Sequence, residues 1–466
     1  MTEIHHLTAL ELVAAYERGE TAPTEVVDHL LARVETGDRV GAFTTVSAAR
    51  ARAAAAAAER TLRSTARAEL PRLYGVPTAI KDLEATAGIR TTMGSALYRD
   101  WVPDYNDEIV DIINEAGLIS LGKTTVPEFG AGCYTEPEVA APARSPFDLT
   151  RSAAGSSGGA AAAVGALFVP IAQGSDSAGS LRSPASACGV VGLKPSRGLV
   201  TAGPNGSDGM GLSVRGPLAR SVRDTAAFLD VLASRTGVGT VHPPRVDSYE
   251  RACDAPVPRL RVALAQGSIS GGPVDPQVAE AAELAAKTLA GLGHEVFARE
   301  QAVDEAFAEN FTTMFSALAG AKPVDGDESA LRPIVRYLRE GSRRRTAGDL
   351  AASIGIVQAR ARAWTLEYAD ADIVITPTVT TPPTFVGQLR DDADPAAELA
   401  AMAAFTGNTV IGNATGFPAI SLPLGWTAEG LPLGVSLTAG WGRDDLLLAV
   451  SATLEEALPW AHRYRD

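Results

Sequence analysis

A lysine and two serines in glycine-rich surroundings are the residues of this chain best suited to do chemistry. Residues 154–184 read AGSSGGAAAAVGALFVPIAQGSDSAGSLRSP, and Lys81 stands upstream in AIKD. A serine hydroxyl attacks a carbonyl only when a base takes its proton. Lysine can be that base only when neutral, so its ordinary value of about 10.4 must be lowered by several units through burial. The glycine- and alanine-rich neighbours would supply that desolvation. Ser156 and Ser180 each sit in a turn with the backbone freedom of glycine, so an intervening helix and strand could bring both to Lys81. The three would then form a Ser-Ser-Lys nucleophile relay.

The elements that must position them read as an α/β protein. Residues 1–70 are expected to be helices, with a capping box at Thr8 and Glu11 and the helix-favouring run RARAAAAAAER at the end. Short apolar runs then alternate with helical patterns: VPTAI, DEIVDIINEAG, LISL, GGAAAAVGAL, LFVPIA. Such alternation predicts a layered sheet covered by helices on both faces. LRVALA (260–265), a helix and EVF (295–297) repeat the theme, and residues 301–370 read as a helical cap. DIVIT (372–376), AISLP (419–423) and LGVSL (433–437) return to strands before a last helix at about 444–457. Lys81 follows the strand VPTAI at its carboxyl end, where α/β sites gather. The Pro-rich stretches look like loops inside one unit, so a single domain of residues 1–466 is expected.

Composition narrows the partners. The chain has 466 residues, 46% of them apolar, and a formal net charge of −14, with a sequence pI near 5.0. Its basic residues are scattered, which disfavours nucleic-acid binding. The N-terminal segment lacks the pattern of a signal peptide, and no apolar run is long enough for a membrane span. Three cysteines, Cys133, Cys188 and Cys253, at unrelated spacings point to a reduced cytoplasm without disulfides or a metal site. No cofactor is expected, and a homodimer is left open.

Two other motifs compete. GLISLGKT (117–124) spells a phosphate-binding loop, but LISL is itself an apolar strand, and a proline four residues after Lys123 interrupts the helix such a loop needs. GSSGG (155–159) fits the nucleophile elbow of α/β hydrolases with Ser157 as nucleophile. That reading requires a strand before Gly155 and a late histidine, and FDLTRSAA is a poor strand. His242, His294 and His462 all lie in unremarkable contexts.

The segment from AGSSGG to GSDSAGSLRSP resembles the signature of the amidase signature family. The resemblance continues through LYGVPTAIKD, LGKTTVPEF, CGVVGLKPSRG, GPLARSVRD, ITPTVTTPP and NATGFPAISLPLG, and so covers nearly the whole chain. YTEPE, the alanine in the oxyanion turn and ALPW look most like the branch containing the aminohexanoate cyclic-dimer hydrolases. Two departures stand out: AGSSGG replaces GGSSGG, and DSAGS replaces D-x-GGS.

The resemblance implies one α/β/α unit around a large mixed sheet, with a catalytic core over about 73–225. Carried over by position, Ser180 is the nucleophile, Ser156 the bridging serine and Lys81 the base of an amidohydrolase acting on a small-molecule amide. The N–H groups of Ser177, Ala178, Gly179 and Ser180 share one turn and could converge on an oxyanion. Asp176 and Arg182 flank that turn and are expected to hold it by an ion pair. Substrate contacts are expected from Cys133, Tyr134, Thr135, Phe315, Asn408, Ile411 and Asn413. Their mixed apolar and amide character suggests a neutral, fairly hydrophobic amide or lactam. The runner-up is a glutaminase-type subunit of a tRNA-dependent amidotransferase, disfavoured by Leu83 where that group carries asparagine after K-D. A catalytically silent scaffold of the same fold is the non-enzymatic alternative.

Overall fold

The computed structural model describes residues 3–464 apart from 205–209, 236–240, 302–303 and 325. Its strands are β1 (Phe43–Val46), β2 (Pro77–Lys81), β3 (Ile119–Thr124), β4 (Arg144–Ser145), β5 (Asp148–Ser152), β6 (Ile171–Asp176), β7 (Val191–Lys194), β8 (Val214–Ala219), β9 (Arg261–Gln266), β10 (Glu295–Glu300), β11 (Ile373–Pro377), β12 (Ala419–Trp426) and β13 (Pro432–Ala439). Eight of them form a mixed sheet in the order β10-β9-β11-β13-β12-β7-β8-β6; β1, β3 and β2 form a second sheet, and β4 and β5 a small hairpin.

Side-chain alternation along these strands explains the layering. Successive residues of a strand point to opposite faces. Thus Val262, Leu264, Ile373 and Ile375 enter one core with the apolar stripe of the helix Pro276–Gly291, whereas Ala263, Ala265 and Val374 enter another with Phe307, Phe311 and Trp364. Both faces are therefore covered, as the near-continuous apolar runs require. The stripe of Pro276–Gly291 repeats at three- and four-residue spacing (Val278, Ala281, Ala282, Ala285, Leu289), and Asp275 caps its first turn by accepting from the Gln277 N–H.

The observed elements differ from the expectation in a few places. β1 lies within the region read as wholly helical, its β-branched FTTV pairing antiparallel with β3. LFVPIA becomes a strand only from Ile171, because the chain turns at Leu167 with φ 62°. A short β5 does precede the serine cluster, but it pairs with two-residue β4 and not with the main sheet. GLISLGKT holds β3 and is followed by the three-residue 3-10 turn Glu128–Gly130 rather than an α-helix, and the buried Lys123 amine donates to Thr91 Oγ1 at 2.9 Å. No helix among the described residues is long and apolar enough to cross a membrane.

Candidate active site

The site forms where the edge strands of two sheets meet. β2 closes the three-stranded sheet and β6 the eight-stranded one. Side chains stitch them together: Thr78 Oγ1 donates to the Ile171 carbonyl at 3.2 Å, and the Lys81 N–H donates to Gln173 Oε1 at 3.0 Å. Lys81 ends β2, fully buried, with its amine reaching across this seam.

The Lys81 amine lies 2.9 Å from Ser156 Oγ, 3.1 Å from the Ser175 carbonyl and 3.0 Å from Ser175 Oγ. Burial drives its pKa down to about 7, with Arg215 acting in the same direction and Glu84 and Asp176 opposing it. A neutral amine has two N–H donors and one lone pair. The carbonyl must take one donor and Ser175 Oγ can take the second, which leaves the lone pair for the Ser156 hydroxyl.

Ser156 follows a cis peptide bond from Gly155 and is itself almost fully buried. The helix Gly158–Gly165 behind it consists of small residues, all buried. Space dictates that composition: a Cβ on Gly159 would stand 2.3 Å from the Thr125 nitrogen. The Ser157 N–H donates to the Ser180 carbonyl at 3.2 Å, tying the two serine turns together. Ser157 Oγ is not poised as a nucleophile, because it donates to the Ser175 carbonyl at 3.1 Å and accepts from the Ser175 N–H. Of the histidines weighed for the elbow, His294 accepts the Leu260 N–H through Nδ1 at 3.2 Å.

Asp176 and Arg182 form a two-pronged clamp, with 2.9 Å from Nε and 3.0 Å from Nη2. Burial alone would raise the Asp176 pKa, but Arg182, Lys194 and Asn413 hold it well below the usual carboxylate range. Asp176 also accepts the Gly179 N–H at 2.7 Å and the Leu181 N–H at 3.2 Å. That commits the Gly179 N–H to the carboxylate and removes it from the four groups expected to face an oxyanion. The two departures from the family pattern have different costs. Ala178 avoids the left-handed region, whereas Ala154 adopts φ 55°, a conformation that costs an L-residue about 1–2 kcal/mol.

Gly179 has φ +120°, and a Cβ there would lie 2.3 Å from Thr409 Oγ1. That hydroxyl donates to the Ala178 carbonyl at 2.7 Å and fixes the turn from outside. Gly179→Ala is therefore expected to displace the turn and lower kcat by roughly 10²-fold, the scale of a lost oxyanion donor. Steady-state turnover alongside thermal denaturation checks this; an unaltered kcat would show that the turn tolerates the shift.

Ser180 opens into a cleft of about 610 Å³, its mouth included. Gly130, Cys133, Gly155 and Ala178 line the same space near the serines. Phe311, Thr312 and Phe315 from the helix Glu305–Ala321 line one wall; Leu399, Met402, Ala403 and Thr406 from the helix Pro395–Thr406 line another, beside Val410. None of these lining residues carries a charge.

Of the expected substrate contacts, Cys133 and Phe315 line this cleft and five others do not. Tyr134 turns its hydroxyl to the Glu398 carboxylate, and its backbone packs against Gly155. Thr135 Oγ1 donates to the Ala154 carbonyl at 2.9 Å. Asn408 holds the 267–269 loop by accepting from the Ile269 N–H and donating to the Gly267 carbonyl. Ile411 packs into the core beside Phe311 and Met314. Asn413 closes the clamp, accepting from Arg182 at 2.8 Å and donating to Asp176 Oδ1 at 3.0 Å. These amides and hydroxyls shape the site from behind it. Sequence reasoning missed the wall residues Thr312, Leu399, Met402, Ala403, Thr406 and Val410. The 399, 402, 403, 406 spacing marks one helix face, but nothing in it shows that the face meets a cleft. Among the described residues no group of three or more His, Cys, Asp or Glu is placed to hold a metal ion.

Known proteins resemble this chain along most of its length. The amidase family profile matches residues 25–448. The 6-aminohexanoate-cyclic-dimer hydrolase of Paenarthrobacter ureafaciens is 37% identical over 84% of each chain. A glutamyl-tRNA(Gln) amidotransferase subunit from Thermus thermophilus is 34% identical over 98% of each. A solved structure of 6-aminohexanoate cyclic dimer hydrolase superposes with a TM-score of 0.88 at 31% identity, covering 99% of both chains. With its serines and buried lysine gathered at one seam and this likeness running along nearly its whole length, the chain belongs to the amidase signature family and is an amide-bond hydrolase.

Proposed function

We propose that the chain hydrolyses a small, neutral, largely apolar amide, linear or lactam, through a Ser-cisSer-Lys relay and an acyl-enzyme. The observation that carries this reading is the buried Lys81 amine 2.9 Å from Ser156 Oγ, beneath a cleft that bears Ser180 and is lined by uncharged residues. Lys81 takes the Ser156 proton through its lone pair, Ser156 takes the proton of Ser180, and Ser180 Oγ attacks the carbonyl carbon. The Ser177, Ala178 and Ser180 N–H groups face the oxyanion. As the tetrahedral species collapses, Ser156 passes a proton to the leaving nitrogen, and water then releases the acid by the same route in reverse. In this reading residues 1–466 work as one unit, with the core over about 73–225 supplying the relay and the helical segment of about 301–370 supplying a wall.

The amidotransferase reading draws support from the full-length similarity to one component of such an enzyme. Free glutamine carries an ammonium and a carboxylate, and burying either without a partner is costly. The cleft offers them no opposite charge. A substrate panel separates the two. Neutral cyclic and linear amides are expected to turn over with kcat/KM at least roughly tenfold above charged isosteres, a difference of about 1.4 kcal/mol. Ammonia release from glutamine that exceeds hydrolysis of every neutral amide would reverse the assignment, and no turnover of any member would favour the silent scaffold.

A further inference from the structure

A cluster of charges lies behind Lys81 that the relay itself does not use. Glu84, three residues past Lys81, is buried; its carboxylate accepts from Arg215 at 3.2 Å (Nε to Oε1) and 3.1 Å (Nη2 to Oε2). Gln173 joins this pair to the lysine. Its Nε2 donates to Glu84 Oε1 at 3.3 Å, while its Oε1 accepts the Lys81 N–H at 3.0 Å. Arg215 is also the cross-strand partner of Ser175 in the β6–β8 ladder. Directly opposed residues in such a ladder share a face of the sheet, and Ser175 Oγ contacts the Lys81 amine.

We propose that the Glu84–Arg215 pair is a positioning element for the reaction: two opposed charges held beside Lys81, whose balance fixes how readily the amine accepts a proton. The inference rests on the relay reading above. The carboxylate favours the charged amine and the guanidinium disfavours it, so each cancels much of the other's field at the lysine. Glu84 and Asp176 on one side and Arg215 on the other are the charges that act on Lys81. Around Glu84 stand two more groups, Lys123, which pairs with Asp82 at 3.6 Å, and Asp107, whose carboxyl bonds Glu84 and accepts the Ala85 N–H at 2.8 Å. Burial opposes the Glu84 charge, yet Arg215, Lys81 and Lys123 together hold its carboxyl below its ordinary value. It therefore remains a carboxylate where the relay works.

Neither side chain lines the cleft, so the pair acts through Lys81 and leaves substrate binding alone. The test is the pH profile of kcat/KM on a neutral amide for wild type, Glu84→Gln, Arg215→Gln, the double variant and Arg215→Lys. Glu84→Gln removes the larger of the two carboxylate fields at Lys81 and is expected to move the acidic limb down by about one unit, the lower end of the effect of a nearby charge. Arg215→Gln is expected to move it up by a similar amount, the double variant to return it near wild type, and Arg215→Lys to leave it in place with KM unchanged. Limbs that stay fixed in both single variants while the rate falls, or that move in the same direction, overturn the proposal and leave the pair a structural one. Glu84→Gln decides the matter even if Arg215→Gln does not fold. A wild-type profile with no limb between pH 6 and 8 would instead count against the relay reading.

Discussion

Ser180→Ala is expected to abolish labelling by a fluorophosphonate probe and all amide turnover, and Lys81→Ala to lower both by roughly 10²–10⁴-fold, the range of a general base. Intact mass after labelling, with peptide mapping, gives the readout. In the wild type the labelling rate should rise with pH and level off above about 7, where burial has placed the Lys81 amine. Label retained on Ser157 in both variants would return the nucleophile-elbow reading.

The same lysine gives a second, opposite signature. Its folded value of about 7 lies below the ordinary 10.5, so the unfolded chain binds the proton more tightly. Stability is then full above pH 10.5, declines as pH falls towards 7, and is flat below. Lys81→Met should therefore be inactive and more stable than wild type at pH 7, by an amount on the order of a few kcal/mol.

Asp176→Asn is expected to destabilise the fold by about 3–5 kcal/mol, because it leaves the Arg182 guanidinium buried without its counter-charge. Chemical denaturation at pH 7 measures the loss. Turnover should fall with it, since an amide offers a single acceptor oxygen where the carboxylate offered one each to the Gly179 and Leu181 N–H groups. The Asp176 carboxyl is held below its ordinary value, so its contribution is complete above about pH 4 and fades only in stronger acid. The two proteins should converge there. Combining Asp176→Asn with Arg182→Met should cost less than the sum of the single changes, as coupled partners do. Strict additivity would mean that the clamp contributes no coupling energy.

What the sequence revealed follows from how local each signal was. The serine turns, the end of VPTAI and the closing helix Asp444–Ala457 rest on glycine placement and periodicity within a few residues. β7 and β8 are less legible, because the glycines and prolines of VGLK and VRGPLA weaken the strand pattern. Asn408 and Asn413 have the chemistry of substrate contacts, but loop and clamp demand the same amide. The wall residues of Pro395–Thr406 carry the spacing of any buried helix face. Only the tertiary arrangement leaves space in front of them.

The reach of the clamp along the chain bears on biosynthesis. Asn413 bonds Asp176 across 237 positions, and Arg182 across 231. Contacts of that separation close late, after the loop entropy between them has been overcome. A nascent chain leaving the ribosome would thus carry Lys81, Ser156 and Ser180 long before the clamp locked the turn that bears Ser180. The turn would be held in order only once Asn413 had been made, so a chain stopped before that position would carry these residues without the clamp that orders them.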